Sequence, residues 1–278
     1  MNDKKERIGV IGVGRMGLPM VKHLIKHGYS VCAMDINPDN VAKACALGAT
    51  SAATPAALGQ QADFVILGVG YDDEVNQVVL GADGLLDSLA SGAIIAVSST
   101  VAPDTVKALA QRAAATGVGI LDAPICRGRW FADEGKLLAL FGGDDETVAR
   151  GRAVYGTFCS DIEHLGEVGH GQVAKAINNL LLWITSIGLI EAGRIAESTG
   201  IDLAKLRNAL MLSSAKSEAL KEWDQTTFTW ALKDMQIVTK MTDQAGLSLP
   251  LTGAVKEMVK EARRTKASNP PNWTGKAK

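Results

Sequence analysis

RIGVIGVGRMGLPMVKHLIKHG, residues 7–28, decides the fold. Its first six residues read as a buried strand, and an amphipathic helix follows over 15–28, closed by Gly28. Between them Gly12, Gly14 and Gly17 are spaced GxGxxG. Glycines at this spacing also serve ordinary turns, so the context carries the reading: the motif directly follows a strand and opens a helix. In that setting Gly12 permits the tight turn, Gly14 lets a pyrophosphate approach the backbone, and Gly17 allows close helix–strand packing. Arg15 and Met16 complete a loop that faces phosphates at the helix N-terminus.

The next strand, "SVCAMD" (30–35), ends in Asp35. A carboxylate there accepts hydrogen bonds from an adenine-ribose diol and repels a 2′-phosphate, which favours NAD over NADP. The competing reading is an aspartate that caps the turn before "NPDN". Ile36 and Asn37 continue this edge of the cofactor site. Three more β-branched runs, 62–69, 92–99 and 117–124, alternate with helical stretches, a pattern that calls for a parallel sheet covered on both faces. Such sheets bind ligands at the carboxyl ends of their strands. "GVGYDD" (68–73) therefore lines the cofactor with Val69, Gly70 and Tyr71. "SSTVAP" (98–103) brings Ser98, Ser99 and Thr100 near nicotinamide and substrate, a helix N-cap being the other reading of Thr100. "DAPICRGRW" (122–130) supplies the last strand end.

After about residue 165 the β-branched runs stop. Residues 169–200 form one long, mostly apolar helical pattern, and further helices are predicted over 203–212, 227–245 and 250–264. The tail "SNPPNWTGKAK", polar and Pro-rich, reads as poorly ordered. The class is α/β: an N-terminal Rossmann dinucleotide-binding domain over 1–164, a long interdomain helix, and a C-terminal all-helical domain over 165–278 for substrate and oligomerisation.

Net charge is −1, so no basic field attracts nucleic acid or an anionic membrane. The longest apolar run, 180–190, is too short to span a bilayer, and the polar "MNDKKER" start is unlike a secretory signal. Four scattered cysteines and four histidines show neither CxxC nor zinc-ligand spacing, which points to a reduced, cytoplasmic chain without metal.

In "GHGQVAKAINN" (169–179), Lys175 and Asn179 are four residues apart and share one helical face among apolar neighbours. A lysine there must reach water, find a partner, or become a usable general acid or base through desolvation. The glycine motif with Asp35, "SSTVAP", "DAP", "GKLLALFGGD", "GHGQVAKAINN" and "KDMQIVTKMTDQAGLSLPLT" together resemble the β-hydroxyacid dehydrogenase family, the group of 3-hydroxyisobutyrate dehydrogenase and tartronate semialdehyde reductase. The resemblance covers nearly the whole chain. It implies Lys175 as the catalytic acid/base and Asn179 as a substrate contact. It also implies Lys233 near cofactor and substrate, Thr100 on the cofactor, a small anionic hydroxy acid as substrate, and a homodimer or homotetramer.

The chain departs from the family in one place. Where relatives have valine-serine-glycine-glycine after the DAP stretch, it has Ile125-Cys126-Arg127-Gly128, then Arg129 and Trp130. Cys126 lacks the hydroxyl donor, and Arg127 offers a planar fork suited to an acid group. Either Arg127 points into the pocket and takes over anion recognition, or it points outward and the cysteine stands in for serine. The expected reaction is NAD-linked interconversion of a small 3-hydroxy acid with its semialdehyde or ketone. In it Ser99, Cys126, Arg127 and Gly128 receive the acid group. The alternatives are an imine reductase, which Lys175 and Asp35 both oppose, and a non-catalytic dinucleotide-binding scaffold.

Overall fold

Strand side chains alternate between two faces, and the strands of the first half are apolar on both. In the computed structural model, which describes residues 5–275, β1 (Ile8–Ile11), β4 (Phe64–Leu67), β5 (Ile94–Val97) and β6 (Gly119–Asp122) form the middle of a six-stranded parallel sheet with β2 (Val31–Met34) and β3 (Thr50–Ser51). The order is β3-β2-β1-β4-β5-β6, a Rossmann sheet. Ile8, Val10, Phe64, Ile66, Ile94 and Ala96 pack to one side, with α1 (Gly17–Lys26) and α7 (Asp145–Tyr155). Ile11, Val65, Leu67, Ile95 and Val97 pack to the other, with α4 (Asp72–Leu80) and α5 (Pro103–Ala114). Short helices α2 (Pro38–Ala46) and α3 (Pro55–Gly59) complete the crossovers. What the sequence suggests for residues 1–4 and 276–278 lies outside the described range.

A second, three-stranded sheet was not expected. It comprises β7 (Ile125–Cys126), β8 (Leu137–Phe141) and β9 (Cys159–His164), with α6 (Gly128–Glu134) between β7 and β8. β7 and β8 are antiparallel, β8 and β9 parallel, and a bridge from Asp122 to Gly142 joins this sheet to the end of β6. β9 is polar and largely exposed, so its sequence "CSDIEH" carries little strand pattern.

The chain divides into two units, Met1–Lys175 and Ala176–Lys278, and the division falls inside α8 (His170–Thr199). The second unit is helical, with α9 (Leu203–Leu210), α10 (Glu218–Lys221), α11 (Ala231–Gln244) and α12 (Pro250–Ser268). By length and composition α8 is apolar enough to cross a membrane, more than its eleven-residue apolar run suggests. Its side chains Trp183 and Ile187 pack with Phe228, Met235, Val255 and Val259, and Leu189 with Leu220, Trp223 and Trp273, as a core helix does. The tail is correspondingly ordered where it is described, contrary to its composition: Trp273 is 0 % exposed and donates to the Leu189 carbonyl, and Trp223 donates to that of Pro271.

The N-terminus of α8 has no acidic residue in its own first turn. Asp122, the last residue of β6, supplies the missing acceptor: its Oδ2 takes N–H groups of Gly169 and Gln172, each at 3.0 Å. The carboxylate is fully buried and its Oδ1 has no hydrogen-bond partner. Burial pushes its pKa up to about 6, against the opposing pull of the amide donors. A carboxyl raised in the folded state binds its proton more tightly there, so its contribution to stability is complete at acid pH and declines as pH rises toward about 6. Urea unfolding of the native chain should lose about 2 kcal/mol between pH 4 and pH 7 relative to Asp122→Asn. Identical pH slopes in the two proteins would contradict this.

Candidate active site

Parallel register brings the functional loops to one edge. Met34, Ile11, Leu67, Val97 and Asp122 are successive register partners across β2, β1, β4, β5 and β6. The residues that follow each of them, Asp35, Gly12, Gly68, Ser98 and Ala123, therefore leave the sheet along a single row.

The glycine loop fits a dinucleotide. Gly12 has φ +90°, and a Cβ there would come 2.5 Å from the Gly68 carbonyl oxygen. A Cβ on Gly17 would run into the Gly12 carbonyl, so α1 can start this close to β1 only with glycine. Around Gly14 the nearest atom to such a Cβ is Asn40 Nδ2 at 3.7 Å, which leaves the loop backbone approachable. Arg15 is exposed and Met16 half-buried. Asp35 Oδ1 accepts the Asn37 N–H at 2.8 Å, so the turn-capping reading holds for that oxygen. Asn37 in turn caps α2 through the Asp39 N–H, and Ile36 is 97 % exposed beside them. At the β4 end, Val69 and Gly70 are half-buried and Tyr71 is exposed. Glu74 accepts the N–H groups of Gly70 and Tyr71, fixing that loop's shape.

At the β5 end the structure departs from expectation. Ser98 is buried and its hydroxyl pairs with the Tyr155 hydroxyl at 2.6 Å, beneath Phe64, Phe141 and Phe158. The Ser99 hydroxyl is likewise buried and donates to the Leu67 carbonyl. Thr100 is half-buried and is not the cap of α5: the N-cap is Ala102, and Asp72 accepts from the Ala102 N–H and the Thr105 hydroxyl.

The turn after β6 resolves the position of Arg127. Cys126 ends β7, and the chain turns left-handed at Arg127, which sends the two side chains different ways. Cys126 is buried and lies 3.7 Å from Lys175 Nζ, whereas the Arg127 guanidinium reaches Asp161 at 2.6 Å, Ser160 at 2.8 Å and the Lys136 carbonyl at 3.0 Å. The inward position considered for Arg127 is thus replaced by an anchorage on β9. Its backbone is left-handed, φ +84°, as is that of Gly128, φ +75°, and a Cβ on Gly128 would meet nothing within 4 Å. Arg129 pairs with Asp133 one turn along α6, and Trp130 is exposed.

Lys175 is brought to this turn by α8. Gln172, buried one turn earlier, donates to the Ser99 carbonyl at 2.9 Å and accepts the Val101 N–H at 3.1 Å. The amine is half-buried and donates to Cys126 Sγ. Asp122 and Gln172 had no assigned part in the sequence reading. Their signal was polarity out of place: a carboxylate ending an apolar strand, and an amide on the apolar side of a helix. Asn179 and Lys233 belong to the second unit. Asn179 is buried and accepts from Asn178, while the Lys233 amine lies 5.6 Å from the centre of the Trp230 ring. Among the described residues no group of three or more metal-binding side chains occurs.

Residues 7–166 match the family described as the NAD binding domain of 6-phosphogluconate dehydrogenase. Residues 169–270 match the one described as NAD-binding of NADP-dependent 3-hydroxyisobutyrate dehydrogenase. The chain is similar to the mitochondrial 3-hydroxyisobutyrate dehydrogenase of Rattus norvegicus, 34 % identical over 224 residues, 81 % of this chain and 65 % of that protein. It therefore spans about two thirds of the length of that relative. It is also similar to an NAD-dependent L-serine dehydrogenase of Pseudomonas aeruginosa, 33 % identical over 79 % of this chain and 74 % of the relative. The solved structure of a Mycobacterium tuberculosis 3-hydroxyisobutyrate dehydrogenase with L-serine superposes with a TM-score of 0.84 at 24 % identity, covering 96 % of both chains. A glycine loop built for a dinucleotide, a lysine at the shared strand edge, and matches that run through both units place the chain in one group: it belongs to the β-hydroxyacid dehydrogenase family.

Proposed function

We propose that the chain catalyses reversible, NAD-linked interconversion of a small 3-hydroxy acid with its semialdehyde or ketone, with Lys175 as the general acid/base. The observation that carries this is the Lys175 amine beside Cys126, at the strand edge from which the glycine loop also leaves the sheet. The names of the relatives, dehydrogenases of 3-hydroxyisobutyrate and L-serine, support the substrate class.

Gly12, Gly14, Arg15, Met16 and Gly17 would hold the pyrophosphate, and Val69, Gly70, Tyr71 and Thr100 would line the rest of the dinucleotide. Asp35 would take the ribose diol, and Ile36 offers an apolar surface for adenine. When bound, the nicotinamide accepts or returns a hydride. The chain's own task is the proton. In the oxidising direction the free Lys175 amine takes it from the alcohol; in the reducing direction the ammonium gives it to the nascent alkoxide. Cys126 and the backbone of Arg127 and Gly128 would receive the acid group, with Asn179 and Lys233 as further contacts implied by the family. The Ser99 hydroxyl and N–H both donate to the Leu67 carbonyl and its own carbonyl accepts from Gln172, so the contact with the acid group expected of Ser99 falls to its neighbours at this edge. Lys175 also opposes the imine reductase alternative, whose members usually carry another residue there.

Lys175→Ala should lower kcat by at least about a hundredfold while the NADH dissociation constant stays within about twofold; a variant retaining half the native rate would end this assignment. Asp35→Ala should reduce kcat/KM for NAD about tenfold and narrow the preference over NADP, whereas an unchanged preference would leave Asp35 as a turn residue only. Arg127→Gly places glycine where the backbone is already left-handed and removes no group from the pocket. Its substrate KM should stay within about twofold of native; a tenfold rise would return Arg127 to anion recognition.

A further inference from the structure

Lys175 can serve as acid and base only if its amine is held at one place, which requires its helix to be fixed to the sheet. Three residues, earlier in α8 or outside it, fix it there. Asp122 Oδ2 collects the N–H groups of Gly169 and Gln172. The Gln172 side chain bridges the Ser99 carbonyl and the Val101 N–H, so the helix engages two backbone groups of the β5 exit. Gly171 lets the helix backbone come against β8, since a Cβ there would collide with the Leu140 carbonyl oxygen and lie 3.0 Å from the Asp122 carboxyl carbon.

We propose that Asp122, Gln172 and Gly171 form a positioning clamp that sets the height and roll of the first turn of α8, and through it the place of the Lys175 amine. This rests on the reading of Lys175 as the acid/base. A charge buried at 0 % exposure, with one oxygen left unpartnered, is an expensive way to cap a helix. A cap drawn from the neighbouring loop would leave α8 free to shift against the sheet. A cap drawn from the last residue of β6 ties it to the strand whose next residues lead to Cys126, the atom that faces the amine. Strand end, helix start and amine thus form one short mechanical loop: Asp122 to Gln172, Gln172 to Lys175 along one turn, and Lys175 back to Cys126, four residues beyond Asp122. Misplacement of a catalytic group by about 1 Å costs on the order of a hundredfold in rate.

The test compares Asp122→Ala, Asp122→Asn, Gly171→Ala and Lys175→Ala in the full-length protein. The measurements are kcat, substrate KM, NADH affinity by fluorescence titration, and thermal unfolding. Asp122→Ala and Gly171→Ala should each lower kcat on the order of a hundredfold, with NADH affinity within about twofold of native. Asp122→Asn keeps an acceptor for the α8 amides and should recover kcat to within about tenfold of native, even where its unfolding temperature differs. Should Asp122→Ala fold poorly, Gly171→Ala, which removes no hydrogen bond, carries the comparison. Native kcat in Asp122→Ala or Gly171→Ala, beside an inactive Lys175→Ala, would overturn the clamp alone. Parallel losses of NADH affinity and kcat, tracking the unfolding temperature, would overturn it as well. An active Lys175→Ala would instead remove the acid/base reading on which it rests.

Discussion

The architecture of the first unit hangs on how closely its backbone segments approach one another at the carboxyl edge of the sheet. Gly12 lies against Gly68, Gly17 against Gly12, Gly142 against Glu167, and Gly171 against Leu140, each at a spacing that a single added carbon would break. The Rossmann sheet supplies the row of strand ends, but these backbone contacts decide how far above the row each loop and helix starts. Asp122 sits at the centre of the last two, bridged to Gly142 through its backbone and to α8 through its side chain. Its raised pKa records what that location demands: a charge kept out of water and repaid only by amide dipoles.

Much of this was legible beforehand because it depends on periodicity. The five principal parallel strands, α1 and α8 follow from runs of apolar residues whose period matches the element, and the glycine loop follows from its place between them. Elements that obey no period were not legible. The second sheet is built from a two-residue strand, a short strand within a familiar motif, and a polar one, none of which shows alternation. The tail failed for a related reason: its composition is that of a linker, yet one tryptophan finds a buried slot beside Leu189 and orders the segment.

The site divides in the same way. The strand-end motifs leave the sheet along one edge, but side-chain direction was not readable from residue type. Ser98 and Ser99 look like ligands for a polar substrate and instead satisfy the interior and the sheet edge. Arg127 looks like an anion receptor and is spent on Asp161 of a strand the sequence had not revealed. Without β9 there was no partner to weigh against the pocket. The turn's chemical departure from its relatives therefore reduces, on the inward face, to one atom, the Cys126 sulfur beside the amine.

The aromatic residues are distributed between the two units in a way that bears on how the chain can be observed. All three tyrosines, Tyr29, Tyr71 and Tyr155, lie in the first unit, which has a single tryptophan, Trp130, on α6 and 68 % exposed. The other four tryptophans lie in the second unit, and Trp183, Trp223 and Trp273 are buried there. Blue-shifted indole emission consequently belongs to the helical unit, and water-quenched emission from the first unit belongs to the helix that follows the Cys126 turn. Trp230 of the second unit is exposed as well, so it is the blue-shifted emission that follows melting of the helical unit without an attached dye.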